Sequence, residues 1–143
     1  MIALYIKKLD SNARIPKYQT EEAAGFDLHA LEDAEIAAGE RALVRTGLAV
    51  AVPRGYELQV RPRSSLALKY GVTVLNTPGT VDSDYRGELL VILINLGRET
   101  YKINGGDRIA QAIVKTVEKV DLIEARELSD TMRGDGGFGS TGV

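Results

Sequence analysis

Apolar and polar side chains alternate through much of the chain, and a period of two predicts strands. Ile2, Leu4 and Ile6 form the first such run, and Phe26, Leu28 and Ala30 the second. Gly39-Glu40 reads as a turn. Leu43 to Val52 then reads either as a strand pair or as one long strand with Gly47 at a bulge or bend. After the turn Pro53-Arg54-Gly55, the residues Tyr56, Leu58 and Val60 alternate into another strand. Val72 to Leu75 is a further strand. Glu88 to Leu96 is almost continuously apolar, the pattern of a strand buried on both faces. Tyr101 and Ile103 lead into Asn104-Gly105-Gly106, and Ile109 to Val117 and Val120 to Ala125 complete the set. Turn signals recur roughly every 8–12 residues, the spacing of a sandwich, jelly roll or barrel. One helix signal interrupts them. Ser64 and Ser65 precede Leu66-Ala67-Leu68-Lys69, and Gly71 follows; serine caps a helix start and glycine ends one, so one or two turns are expected.

Composition narrows this picture. A chain of 143 residues makes one domain with one hydrophobic core. The longest strictly aliphatic run, Leu89 to Ile94, is too short to cross a bilayer. MIALYIKKLD places its basic residues after a short apolar stretch, the reverse of a secretory signal, so a cytoplasmic protein is expected. A net charge of −2 argues against a broad nucleic-acid-binding face. With no cysteine, disulfides, Cys-zinc sites and Cys nucleophiles are excluded, and a single histidine, His29, removes histidine metal clusters. Five of the 15 glycines fall in the last ten residues, so the chain divides into a β domain over residues 1–132 and a polar arm over 133–143. That arm is expected to be mobile when unliganded.

Five constellations carry the candidate chemistry. In Ala24-Gly25-Phe26-Asp27-Leu28, the acidic residue Asp27 points away from its apolar neighbours; alone it reads as well as a solvated strand carboxylate. In Arg61-Pro62-Arg63-Ser64-Ser65-Leu66, an arginine meets the start of a short helix, where free N–H groups favour an anion such as phosphate; the alternative is a surface arginine beside a serine cap. The stretch Asn76-Thr77-Pro78-Gly79-Thr80-Val81-Asp82-Ser83-Asp84-Tyr85-Arg86-Gly87 packs two carboxylates, a tyrosine and an arginine into a hairpin-like connection, more chemistry than a turn needs. Gly106-Asp107-Arg108-Ile109-Ala110-Gln111 puts Gln111 at an otherwise apolar strand start, where an edge strand is the plain reading. In Arg133-Gly134-Asp135-Gly136-Gly137-Phe138-Gly139-Ser140-Thr141-Gly142, glycines let N–H groups approach phosphate oxygens. No lysine and no following helix make it a Walker loop, and Phe138 is free to stack on a ring.

In this order the five stretches resemble the all-β, trimeric deoxyuridine triphosphatases (dUTPases), from Ala24 to Gly142. VDSDYRGE (Val81 to Glu88) and RGDGGFGSTG (Arg133 to Gly142) are the most specific. The resemblance implies a jelly-roll-like β-barrel subunit in a homotrimer with shared active sites. It implies hydrolysis of dUTP to dUMP and pyrophosphate by in-line attack of water on the α-phosphate, which keeps uracil out of DNA and supplies dUMP for dTTP synthesis. Asp82 matches the water-activating carboxylate. Mg²⁺ would be held chiefly by the phosphates, and Asp27 would order neighbouring groups and metal-bound water. Asn76 to about Leu90 would recognise uracil, with Gly79, Thr80 and Val81 forming a hairpin turn beside the base and Tyr85 on the deoxyribose, excluding a 2′-hydroxyl. Arg63, Ser64, Ser65 and Gln111 would serve the site from a neighbour. Arg133, Phe138, Gly139 and Ser140 would close it from the third subunit.

The second stretch reads Arg-Ser-Ser where the family usually has Arg-Ser-Gly. Arg-Ser-Ser-Leu also resembles the dCTP deaminases, which share the fold, but their catalytic glutamate falls here on Ile92, an apolar strand residue. A non-catalytic nucleotide-binding jelly roll is the alternative from another class. His29 reads as an incidental, partly exposed strand residue.

Overall fold

Side-chain alternation sets the strands. In the computed structural model, which describes residues 1–142, ten strands form: β1 Tyr5–Lys8, β2 Phe26–His29, β3 Ala34–Ile36, β4 Arg41–Ala51, β5 Tyr56–Arg61, β6 Val72–Val74, β7 Gly79–Val81, β8 Glu88–Asn95, β9 Tyr101–Ile103 and β10 Arg108–Thr116. One helix, α1 Ser64–Tyr70, lies between β5 and β6. Every pairing is antiparallel. The first sheet has the order β1-β4-β8-β6, the second β2-β10-β5-β7, and β3 with β9 makes a small ribbon.

The two four-stranded sheets share one core and give an all-β, jelly-roll-like fold. Leu28, Leu58 and Ala112 enter it from the second sheet, Val44, Val72, Val91 and Leu93 from the first. Each fully buried leucine contributes about 1.5–3 kcal/mol relative to exposure. The buried amide Asn95 is satisfied: its Nδ2 donates to Ile36 O and Glu99 O at 2.8 Å, and its Oδ1 accepts from Gly97 N at 2.9 Å. It thereby joins the end of β8 to β3 and to the loop that follows.

Of the two readings left open for Leu43 to Val52, the long strand is the observed one. β4 runs for 11 residues, with a register shift between Arg45 and Ala49. Gly47 takes φ +70° there, a conformation that side chains disfavour. The buried Thr46 hydroxyl donates to Leu89 O at 2.6 Å, so it supplies a donor to β8 where the ladder is disturbed.

Several expectations need correction. The first strand starts at Tyr5, because Ile2 has no pairing partner and stays exposed. β8 is not buried on both faces: Leu89, Val91 and Leu93 point inward, while Leu90 is exposed and Ile92 and Ile94 are half-buried. Val120 to Ala125 is no strand; it pairs with nothing and is exposed. Gly79, Thr80 and Val81 are not a hairpin turn but strand β7, paired with β5. Ser64 and Ser65 do not cap α1. They lie inside it, and Arg63 holds the cap position in extended conformation without a side-chain cap bond. Gly71 ends the helix as expected, at φ +68°. Gln111 sits on β10, an interior strand between β2 and β5, so the edge-strand alternative fails. The ribbon strand β3 escaped the sequence because Ala34-Glu35-Ile36 offers only one large apolar side chain.

Candidate active site

Register across the second sheet places Gln111 opposite Asp27 on one side and opposite Arg61 on the other. Directly opposed residues share a face. Phe26 and Leu28 are buried, so Asp27 faces outward, as its position predicts. Its carboxylate accepts two arginines: Arg63 Nε lies 3.3 Å from Oδ1, and Arg108 Nη1 lies 3.3 Å from Oδ2. Arg63 Nη1 also donates to Arg108 O at 3.3 Å, and Gln111 Nε2 donates to Pro62 O at 3.0 Å. Three stretches far apart in sequence thus form one cluster at the start of α1, where Ser64 and Ser65 contribute the first helical N–H groups, unpaired within the helix. The cluster gathers more positive charge than the single carboxylate neutralises, a setting for a polyanion. Arg108 belongs to it although the sequence did not single it out. Its place shows only once β2 and β10 pair.

His29 follows on the same strand, half-buried, opposite Arg108. Its Nδ1 is buried without a hydrogen-bond partner. Burial pushes its pKa below the usual value, and the positive charge of Arg14 adds to this while Asp27 opposes it.

A second cleft, of about 210 Å³, is lined by Val60, Thr80, Val81, Asp82, Tyr85, Glu88, Leu89 and Leu90. β6 and β8 are paired strands of the first sheet, yet β7, between them in sequence, crosses to the second sheet and pairs with β5. That crossing opens the cleft. Asp82 is exposed at its rim, and Tyr85 N donates to Asp82 O at 3.2 Å to close the turn after it. The Tyr85 hydroxyl donates to Glu88 O at 2.9 Å. Arg86 Nη1 caps the same turn through Ser83 O at 2.6 Å and Tyr85 O at 2.9 Å. Asn76 is exposed beside Gly79. Small-molecule sites usually occupy about 300–1,000 Å³, so this cleft by itself is too small for one. Two hollows of about 730 and 700 Å³ are lined by none of the residues singled out as catalytic or substrate-binding, whereas one of about 340 Å³ shares Thr80 and Asp82 with the cleft.

Within one chain these parts stay separate. Asp27 and Thr80 stand on the outermost strands β2 and β7, three spacings or about 14 Å apart. Among the described residues no hydrogen bond or ion pair joins the arginine cluster to the cleft. The arm reaches neither. Beyond Val117, whose N–H donates to Gly55 O, every hydrogen bond of the described chain is local, such as Arg133 Nε to Gly136 O at 2.7 Å and Ser140 N to Gly137 O at 3.0 Å. Phe138 is fully exposed, and Gly139 has only Gly142 near it. The outer face of the first sheet carries an apolar stripe. Leu43 is opposite Ile92, and Leu43, Leu75 and Leu90 are exposed. No three acidic or histidine side chains among the described residues come together as a metal cage.

Comparison with known proteins gives consistent matches. The dUTPase family profile matches residues 11–142. The deoxyuridine 5′-triphosphate nucleotidohydrolase of Nautilia profundicola is 61% identical over 139 residues, covering 97% of this chain and 98% of that protein. The protein of the same name from Wolinella succinogenes is 63% identical over 135 residues, covering 94% and 91%. Among solved structures, the dUTPase of Staphylococcus bacteriophage 80alpha with dUPNHPP is 28% identical and superposes with a TM-score of 0.89 over 100% of both chains. A mutant dUTPase of S. aureus phage phi11, described for its coordination of a structural Mg(II) ion, shares the fold at 24% identity, with a TM-score of 0.84 over 90% of this chain and 100% of that one.

Proposed function

The chain belongs to the dUTPase family, and from that premise we propose that it is a dUTP diphosphatase, hydrolysing dUTP to dUMP and pyrophosphate. The observation that carries the reading is the cleft between β7 and β8, where Asp82 and Tyr85 stand at the rim beside Thr80, Val81 and Leu90. Asp82 is the general base. Its carboxylate orients a water and takes its proton as the oxygen attacks the α-phosphate in line with the leaving pyrophosphate. Exposure of Asp82 at the rim, not the floor, leaves space for that water.

Uracil enters the cleft edge-on. Its O2, N3–H and O4 pair with groups of the Asn76–Leu90 segment, including the free edge of β7. Cytosine reverses donor and acceptor at positions 3 and 4 and leaves buried groups unpaired, a heavy penalty. Tyr85 covers the deoxyribose and leaves no room for a 2′-hydroxyl. Arg63, Ser64, Ser65 and Gln111 receive the phosphates, with Asp27 holding Arg63 in place. The substrate is taken as its Mg²⁺ complex. Mg²⁺ held on phosphates needs few protein ligands. Bound in this way the ion neutralises phosphate charge. Ser65 replaces the family's glycine, but it stands in the first turn of α1, where its backbone N–H has no partner within the helix.

The separation of the parts supports a homotrimer whose sites are shared, the cleft from one copy, the arginine cluster from a second and the arm from a third. The apolar stripe of Leu43, Leu75, Leu90, Ile92 and Ile94 supports the same assembly, because a second copy would bury it. This explains why β8 reads as buried on both faces. Such an enzyme acts in the cytoplasm, keeps uracil out of DNA and supplies dUMP for dTTP synthesis. Deamination is disfavoured, since Ile92 presents only a half-buried aliphatic group on that stripe. The test is pyrophosphate release from dUTP, dCTP, dTTP and UTP in parallel. Selective release from dUTP is expected, and equal rates with all four would overturn the reading.

A further inference from the structure

The bulge in β4 has a partner across the sheet that bears on the cleft. Arg45 is opposite Leu90 in the β4–β8 register, and Ala49 is opposite Glu88. Two steps along β8 therefore correspond to four along β4, and Gly47 absorbs the surplus. Arg45 and Glu88 come to lie diagonally on the outer face. There they form a two-pronged ion pair, with Arg45 Nε 3.1 Å from Oε2 and Nη2 3.0 Å from Oε1. Glu88 is the better buried partner, its side chain 15% exposed against 45% for Arg45. The same Glu88 offers its backbone carbonyl to the Tyr85 hydroxyl at 2.9 Å. Gly87 lies between them, and a Cβ on it would come within 2.6 Å of the ring carbon Cζ. The absent side chain is what lets the Tyr85 ring fold back over the chain.

We infer that Arg45 is a positioning residue for sugar selection: by clamping Glu88 it fixes the carbonyl to which Tyr85 is anchored, and with it the wall that faces the deoxyribose. The inference rests on the reading that dUTP is the substrate and that Tyr85 closes the sugar pocket. Arg45 itself lines no part of the cleft. A two-pronged guanidinium–carboxylate pair fixes orientation as well as distance, which a lysine at the same place does not. Freed from the clamp, the start of β8 and the Tyr85 ring gain room, and the pocket admits a 2′-hydroxyl.

The experiment compares the parent with Arg45→Ala, Arg45→Lys, Glu88→Ala and the exchange Arg45→Glu with Glu88→Arg, reading kcat and KM for dUTP and UTP and the melting temperature of each. In Arg45→Ala and Glu88→Ala the dUTP/UTP ratio of kcat/KM should fall on the order of tenfold, the scale of a small steric misfit in a pocket. The fall should arise mainly from improved use of UTP, with Arg45→Lys intermediate and the exchange restoring the ratio. A parental ratio in the single variants overturns the inference, and so does equal loss on both substrates together with a lowered melting temperature. A selective parent with unchanged variants sinks this inference alone. A parent that does not prefer dUTP removes the substrate reading and the inference together.

Discussion

Asp27 holds Arg63 across a 3.3 Å ion pair that joins β2 to the first residue before α1. The carboxylate is well covered and faces a second arginine, Arg108, on its other oxygen. It therefore spaces two cations that would otherwise repel one another. Asp27→Asn keeps the size but loses the charge that holds them. The expected outcome is a 10- to 100-fold lower kcat/KM for dUTP, on the scale of lost supporting contacts around phosphate and metal, seen mainly as a higher KM in steady-state assays. An unchanged KM would show that Arg63 needs no such support.

Asp82→Asn keeps a hydrogen-bonding side chain at the rim of the cleft but cannot take the proton of the attacking water. Turnover should drop about 10²–10⁴-fold, while a non-hydrolysable dUTP analogue still raises the melting temperature. Near-parental turnover would remove Asp82 from the base role.

Deleting residues 133–143 should leave the fold intact, because every hydrogen bond of the described arm is local and Phe138 is fully exposed. The melting temperature without ligand should stay at the parental value, the gain with the analogue should shrink and kcat should collapse. Phe138→Ala should show a milder form. Unfolding of the truncated protein would make the arm a structural element.

Mixing Asp82→Asn chains with arm-deleted chains should restore some activity. Hybrid trimers contain sites with an intact cleft from one chain and an intact arm from another. Mixed trimers seen by mass spectrometry but devoid of activity would refute sharing.

His29 gives a pH prediction with a definite sign. Its pKa is lowered in the folded protein, chiefly by burial and then by Arg14. The unfolded chain, with an ordinary value near 6.5, therefore takes up its proton first as pH falls. The stability this represents is present above about pH 6.5 and is lost as pH drops towards the folded value. His29→Gln should remove that part of the decline, so the difference in melting temperature between parent and variant should change between pH 7.5 and 5.5. A constant difference would show that His29 does not titrate differently on folding.

Much of the fold was legible because short range sufficed. Alternation marks β2 and β5, and Gly47 and Gly71 mark a bulge and a helix end whose positive φ values the structure bears out. The errors arise where a distant partner decides. Gly79–Val81 is a strand only because β5 offers it an edge, and Ser64 loses the cap position because the arginine before it is drawn to Asp27. Val120 to Ala125 has strand-like residues but no neighbour to pair with. Asp27, Arg63 and Gln111 were each visible as polar residues out of place, yet their convergence depends on the register of three strands. The pairing of Arg108 with Asp27 and that of Arg45 with Glu88 carried no local signal, since an arginine on a strand face is ordinary until its partner across the sheet is known.

The 15 residues between Val117 and Arg133 form neither strand nor helix. A chain of that length reaches at most roughly 50 Å, from about 3.3–3.6 Å per residue. A segment carried on such a leash meets its target at an effective concentration in the millimolar range. If the arm closes the site as proposed, the individual contacts of Phe138, Gly139 and Ser140 with a nucleotide can be feeble, too weak for a free peptide of the same sequence to bind, and still fill the site most of the time. That weakness has a use. A cover held by local concentration, not by tight contacts, would let go as soon as the triphosphate is cut, so closure would add little to the time needed for product to leave.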